Sequence, residues 1–345
     1  MKMTRHLVAA VALVAAAAFM SVYEYPADAY YLAMGAVGLA AVSLVSDYAV
    51  EGVKGLAARL GVSDYVGGVI SSLASNLPEA VLALFMAAHP ELREIAVLTV
   101  LLAASFNGFL LGLLIVLLAR KRGSVEIPRE ALIYDMEVMR ITTVFAMLIA
   151  FAAFMFTLQG VDTPLPVEAA ALMLLAYVAY TWFISRAGRR EGGRAEGWGW
   201  LAPFALGLVG IILGSELLSG SIEHFVSAQH LSYGIVATIL AFAGSVPEHF
   251  VAITGGLRGE VDIGVSNLVS GIVQTIMVIF PIISFFVPLR LDGFVVYQLL
   301  VAALTLWLVE RSITDDSRLT VDEGVSIMLA NLLALLLFDE LSLHL

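Results

Sequence analysis

The sequence predicts an all-α polytopic membrane protein of about 11 transmembrane helices, arranged as one helix followed by two sets of five in inverted-topology repeats. Three observations predict it. Hydrophobic residues make up 61% of the 345 and charged residues 14%, whereas a soluble domain is nearer half apolar and a quarter charged. Apolar runs long enough to cross a bilayer recur along the chain between short polar loops. A motif recurs in register: 248 minus 79 is 169 for Glu79 and Glu248, and Pro78/Pro247 and Asp47/Glu216 keep the same offset.

Composition also excludes functions. No stretch is long enough for a separate soluble domain, so the net charge of −11 says little about partners. The lipid bilayer is the expected partner and nucleic acid is not; a homo-oligomer is left open. With no cysteine, thiol catalysis, disulfides and thiolate metal sites are excluded.

Taken in order, residues 1–27 hold Lys2 and Arg5, then an apolar run from Leu7 to Val22. The pattern resembles a signal peptide, but a retained first helix is expected. Residues 28–185 form the first repeat of five helices. Its first segment, about Ala29 to Leu60, carries Asp47, Glu51 and Lys54. Asp47 and Glu51 share a face at i,i+4, with Lys54 placed to neutralise Glu51 if that end reaches the interface. Val62 to Ala88 holds the first Pro-Glu pair, and Ile95 to Leu118 holds Ser105, Asn107, Gly108 and Gly112. Leu132 to Leu158 begins with Asp135, Glu137 and Arg140, the last two spaced for an i,i+3 ion pair, and Val167 to Ile184 closes the repeat. Residues 186–200 are a basic, glycine-containing linker, read as a flexible tether with a regulatory role as the alternative. Residues 201–345 repeat the plan: Leu201 to Leu218, a loop with Glu223, His224 and His230, Tyr233 to Thr254, Ile263 to Val287, Phe294 to Val309 and Val321 to Phe338.

Five spans per repeat is odd, so the second copy is inverted. With the N-terminus cytoplasmic, the inside loops carry Lys54 and Arg59, Arg120 to Arg129, Arg186 to Arg194, Arg258, and Arg311 with Arg318. The outside loops carry Arg93 and Arg290. That distribution obeys the positive-inside rule and places the C-terminus outside.

A carboxylate inside a membrane helix is costly and marks a functional site. A proline beside it removes a backbone donor and frees the carbonyl one turn earlier. Carboxylates and carbonyls are the oxygen ligands that a hard cation such as Ca²⁺ takes. Inversion is expected to bring Glu79 and Glu248 together near the midplane, as the metal ligands. Like charges in low dielectric favour protonation, and a divalent cation reverses that. Competition between Ca²⁺ and H⁺, or Na⁺, for the pair gives an antiporter without a cofactor. Ser75, Asn76, Ser245, Asn267 and Gln274 are candidates to complete an oxygen shell. Asn107 either ligates or bonds to a neighbouring helix. His249 either bonds to a neighbouring helix or carries a proton.

Ser75-Asn-Leu-Pro-Glu79 and Gly244-Ser-Val-Pro-Glu248 resemble the two α-repeat signatures of the calcium/cation antiporter superfamily. The resemblance implies a cation-binding role for Glu79 and Glu248, with Ser75, Asn76 and Ser245 as the small polar residues one turn earlier. Glu248-His249, Asp262-Ile-Gly-Val and Ser270-Gly271-Ile-Val-Gln274 with Pro281 are most similar to the Ca²⁺/H⁺ branch, Gln274 standing at its glutamine. The Na⁺/Ca²⁺ branch usually has an acid near Thr275, and this chain has none. Other features depart from the family. The Gly-Thr-Ser common before Pro-Glu in the Na⁺ branch is Ala74-Ser75-Asn76 here, and the helix after the first repeat motif has Leu102 and Ala103 where Gly-Ser is usual. The acidic segment between halves in some Ca²⁺/H⁺ members is replaced by the basic linker.

The expected function is therefore Ca²⁺/H⁺ antiport by alternating access. Na⁺/Ca²⁺ exchange is the near alternative and a passive cation channel the distant one. An enzyme is not expected, because no nucleophile–base or metal-protease constellation appears.

Overall fold

The computed structural model describes residues 2–23, 25, 28–60, 72–120, 123–126, 129–161, 163–187, 197–229, 232–257 and 261–343. The described chain is almost entirely helical. The helices are α1 (Lys2–Val22), α2 (Asp28–Leu60), α3 (Leu77–Ala88), α4 (Arg93–Ala119), α5 (Arg129–Leu158), α6 (Val167–Ala187), α7 (Leu201–Gln229), α8 (Tyr233–Leu257), α9 (Val261–Gln274), α10 (Phe280–Phe286), α11 (Gly293–Asp316) and α12 (Val321–Leu343). A π-turn, Thr275–Ile279, joins α9 to α10, and two short strands, β1 (Ser124–Glu126) and β2 (Arg318–Thr320), pair antiparallel. Seven of the described helical stretches are long and apolar enough to cross a membrane, and four further apolar helices, such as Leu77–Ala88, are shorter as described, a pattern compatible with the expected eleven spans.

The chain divides into two compact units, Met1–Ala96 with Thr181–Ser232, and Val97–Tyr180 with Tyr233–Leu345. Each draws on both sequence repeats. In the first unit α2 packs along α7, its counterpart in the other repeat, and α1 and α3 also pack on α7. Small residues let the backbones approach. A Cβ on Gly38 would lie 2.7 Å from the Gly214 carbonyl oxygen and 2.9 Å from the Leu218 nitrogen; one on Gly207 would lie 2.3 Å from the Ala49 nitrogen.

These contacts are reciprocal. Moving Gly38 forward by 169 gives Gly207, and moving Leu218 back by 169 gives Ala49. Likewise Gly35 meets Ser221 while Gly52 meets Phe204, and 221 minus 52 and 204 minus 35 are both 169. Residue numbers fall along α7 as they rise along α2, so the two equivalent helices run antiparallel. Reciprocal contacts between antiparallel equivalents are what a two-fold axis produces, and they are the inversion that the span count predicts.

In the second unit the equivalent helices α5 and α11 pack in the same antiparallel sense. Arg140 bonds Glu310 while Met136, one turn earlier, meets Thr314, one turn later. The expected Glu137–Arg140 ion pair forms at 3.1 Å, and Arg140 reaches Glu310 at 2.7 Å as well. The α4 face with Gly108 and Gly112 packs on α12, where a Cβ at Gly112 would come 2.4 Å from the Met328 nitrogen. Outward apolar side chains such as Leu148, Phe151, Leu172 and Leu175 suit a lipid surround.

Loop pairing follows the alternation of spans. β1 and β2 join two loops expected inside, and a bridge between Pro164 and Arg290 joins two expected outside. In the first unit, Arg59 stacks 3.7 Å over the Trp198 ring and donates to the Gly197 carbonyl, again joining two segments expected inside. His224 pairs with Asp28 at 2.9 Å, and His89 lies 3.8 Å from Glu223, joining segments expected outside.

Three expectations need correction. The helix from Leu201 runs on to Gln229, so Glu223 and His224 lie in α7 rather than in a loop. Apolar Ile222 and Val226 are buried there and carry the packed face past the point where polar residues suggested an end. The first Pro-Glu helix is broken at Asn76, with a turn between residues 72–75 and α3. The segment Ile263 to Val287 is not one α-helix, since the π-turn interrupts it ahead of Pro281. A proline cannot donate to the preceding turn, and the wider π ladder accommodates the change in register. His230 and residues 61–71 lie outside the described residues.

Candidate functional site

The first unit holds Ser75, Asn76 and Glu79. Pro78 falls in the first turn of α3, where a missing N–H costs least. The Asn76 nitrogen donates to the Ser72 carbonyl at 3.3 Å, and the Ala80 nitrogen to the Asn76 carbonyl at 3.2 Å. The helical bond from residue 78 to the Ala74 carbonyl is the one that Pro78 cannot make. Ser75 Oγ donates to the Ser72 carbonyl at 2.7 Å, which turns its proton back into the helix and leaves oxygen lone pairs outward. Asn76 is 2% exposed and Glu79 is half-buried on the following turn. A carbonyl, a hydroxyl, an amide and a carboxylate thus occur within two turns.

The second unit holds the other candidates. Ser245, Glu248 and His249 lie on α8, which runs helical through Pro247 from Tyr233 to Leu257; their side chains are outside the described set. The second motif therefore differs from the first in keeping its helix unbroken. Asn267 is half-buried on α9, and Gln274, the last residue of α9, is 1% exposed. Gln274 Nε2 donates to the Tyr177 hydroxyl on α6 at 3.1 Å.

Asn107 on α4 is fully buried, and neither Oδ1 nor Nδ2 has a hydrogen-bond partner among the described residues. The expected alternative, a bond to a neighbouring helix, is not what the described residues show. Thr275, the first residue of the π-turn, is fully buried and its Oγ1 is likewise without a partner among them. A buried polar atom left without a partner costs about 1–3 kcal/mol, a cost that recurs where function demands it. Asp47 and Glu216 stand on the exposed faces of α2 and α7, each beside a buried serine, Ser46 and Ser215. Among the described residues no three His, Asp or Glu side chains gather closely enough to hold a metal.

Sequence reasoning missed a polar seam in the second unit. Ser105 Oγ donates to Gln298 Oε1 at 2.8 Å, and Thr305 Oγ1 to Asn331 Oδ1 at 3.1 Å, all four residues being buried. Gln298 and Thr305 are seven apart on α11, hence on one face, a signal available in the sequence. Tyr177 had none: nothing in the spacing of α6 distinguishes it from its aromatic neighbours.

Inverted equivalents packed on each other, each unit bearing a Pro-Glu motif, define a polytopic helical membrane protein built on inverted repeats. The family model described as sodium/calcium exchanger protein matches residues 30–186 and 199–338. The chain belongs to that family, within the calcium/cation antiporter superfamily, whose members are transporters rather than catalysts. Solved structures share the fold. The crystal structure of the H⁺/Ca²⁺ exchanger CAX matches at TM-score 0.76 and 17% identity, over 99% of this chain and 93% of that one. Native YfkE matches at 0.68 and 18%, over 96% and 99%. The sodium-calcium exchanger NCX_Mj matches at 0.61 and 18%, over 89% and 98%. A search of curated protein sequences finds no match.

Proposed function

We propose that the chain exchanges Ca²⁺ for H⁺ by alternating access, with Glu79 and Glu248 as the cation ligands. The observation that carries the reading is the pair of Pro-Glu motifs, held in one register across inverted repeats in a chain of the exchanger family. At Ala74 the first motif loses a backbone donor next to a hydroxyl, an amide and a carboxylate, a ligand set of the kind a hard cation takes. The buried Asn107 amide and Thr275 hydroxyl, unpartnered among the described residues, are further oxygens to offer. Thr275 also favours H⁺ over Na⁺ as counter-ion, because a neutral hydroxyl stands near where the Na⁺ branch places a third carboxylate. Fewer fixed charges leave the site neutralised by one divalent cation or by protons on two glutamates. The N-terminus is cytoplasmic and the C-terminus outside, as the lysine and arginine distribution favours.

The test uses purified protein in liposomes containing a Ca²⁺ indicator. A pH gradient without Na⁺ is expected to drive Ca²⁺ uphill, and Glu79→Gln or Glu248→Gln to abolish it. Uphill movement under a Na⁺ gradient alone would replace H⁺ with Na⁺ as counter-ion. Movement only down the Ca²⁺ gradient would mark a channel.

A further inference from the structure

Gln274 is buried, ends α9 at the π-turn, and donates through Nε2 to the Tyr177 hydroxyl at 3.1 Å. Tyr177 is itself buried, at 7% exposed, and comes from α6, 97 residues away in sequence. A carboxamide has two limbs of nearly equal shape and opposite chemistry. Its oxygen can ligate a cation, whereas its NH₂ can only donate and repels one. A buried glutamine that ligates through oxygen must therefore place its NH₂ against an acceptor, or leave a buried donor unsatisfied.

We propose that Tyr177 is a positioning residue that sets the sense of the Gln274 amide, its hydroxyl accepting from Nε2 so that Oε1 is the limb offered to the cation. The inference rests on the proposed cation exchange, with Gln274 as one of the oxygen ligands expected from the sequence. The Tyr177 oxygen matters most when the cation occupies Oε1, because the bound cation keeps the amide from turning over. Tyr177 thus acts on the bound state more than on the empty one, and its loss appears as weakened affinity with the maximal rate retained.

The test compares wild type, Y177F, Q274A, Q274E and the Y177F/Q274E double variant. Two readouts are taken: the KM for Ca²⁺ in liposomes, and the Ca²⁺ concentration giving half-maximal thermal stabilisation in detergent, which reports binding even in a variant that does not transport. Y177F is expected to raise both Ca²⁺ values about five-fold, the worth of one neutral hydrogen bond, with the maximal rate unchanged. In the Q274E background no NH₂ needs an acceptor and the Tyr177 hydroxyl can only donate to the carboxylate, in competition with the cation, so adding Y177F should leave the values unchanged or lower them rather than raise them. A loss of ring packing would instead act equally in both backgrounds, and equal shifts would overturn the inference. Wild-type values for Y177F beside raised values for Q274A would overturn the role of Tyr177 and leave Gln274 a ligand. Wild-type values for Q274A would overturn Gln274 as a ligand, and the inference with it.

Discussion

The reciprocal seam between α2 and α7 makes a paired prediction. In Gly207→Ala the new Cβ would sit 2.3 Å from the Ala49 nitrogen, 2.6 Å from its Cα and 2.7 Å from its Cβ. Unbonded heavy atoms rest about 3.5–4.0 Å apart, so the overlap exceeds about 1 Å, and two of the three atoms are backbone that no rotamer change can move. The helices must separate, which costs about 1–3 kcal/mol as overpacking and also removes neighbouring close contacts. The image substitution, Gly38→Ala, meets the Gly214 oxygen at 2.7 Å and the Leu218 nitrogen at 2.9 Å. Its cost should be of the same order. Thermal unfolding in detergent, followed by tryptophan fluorescence, should show both variants melting several degrees below wild type. Gly199→Ala, with nothing within 4 Å of its added Cβ, should melt with wild type. The double variant should lose less than the sum, since one separation of the helices relieves both overlaps. A wild-type melt for Gly207→Ala would refute the close seam, and a large loss in one of the pair alone would refute its reciprocity.

Three further outcomes are expected. Asn107→Leu removes a buried amide without a partner among the described residues, so it should leave the melting temperature unchanged or raise it while raising the KM for Ca²⁺; a lower melting temperature would show that the amide is bonded in the fold. Pro78→Ala restores a backbone donor for the Ala74 carbonyl and should weaken Ca²⁺ uptake; unchanged uptake kinetics would remove that carbonyl from the ligand set. Deleting residues 189–196 should leave liposome transport intact, and its loss would show that the linker does more than connect the halves.

Much of this protein was legible in the sequence because a membrane constrains what a chain can do. Backbone groups must be satisfied within helices, so apolar runs announce spans, and Glu79 with Glu248 stands out because carboxylates there are costly. The 169-residue register carried the inversion, since an odd number of spans per repeat leaves no other arrangement. The Glu137–Arg140 pair was legible because it is local, set by helix spacing alone. Only the tertiary structure decided contacts between segments far apart in the chain. Tyr177 meets Gln274, and Ser105 meets Gln298, through helix packing that no periodicity encodes. The break at Asn76, against the unbroken α8 through Pro247, was hidden for a related reason. Both motifs carry the same proline, and how a helix absorbs a missing donor depends on what surrounds it. The sequence thus determined the recurrence of apolar spans, their inversion and the residues that membrane burial makes expensive; packing decided which polar atoms find partners and which, among the described residues, do not.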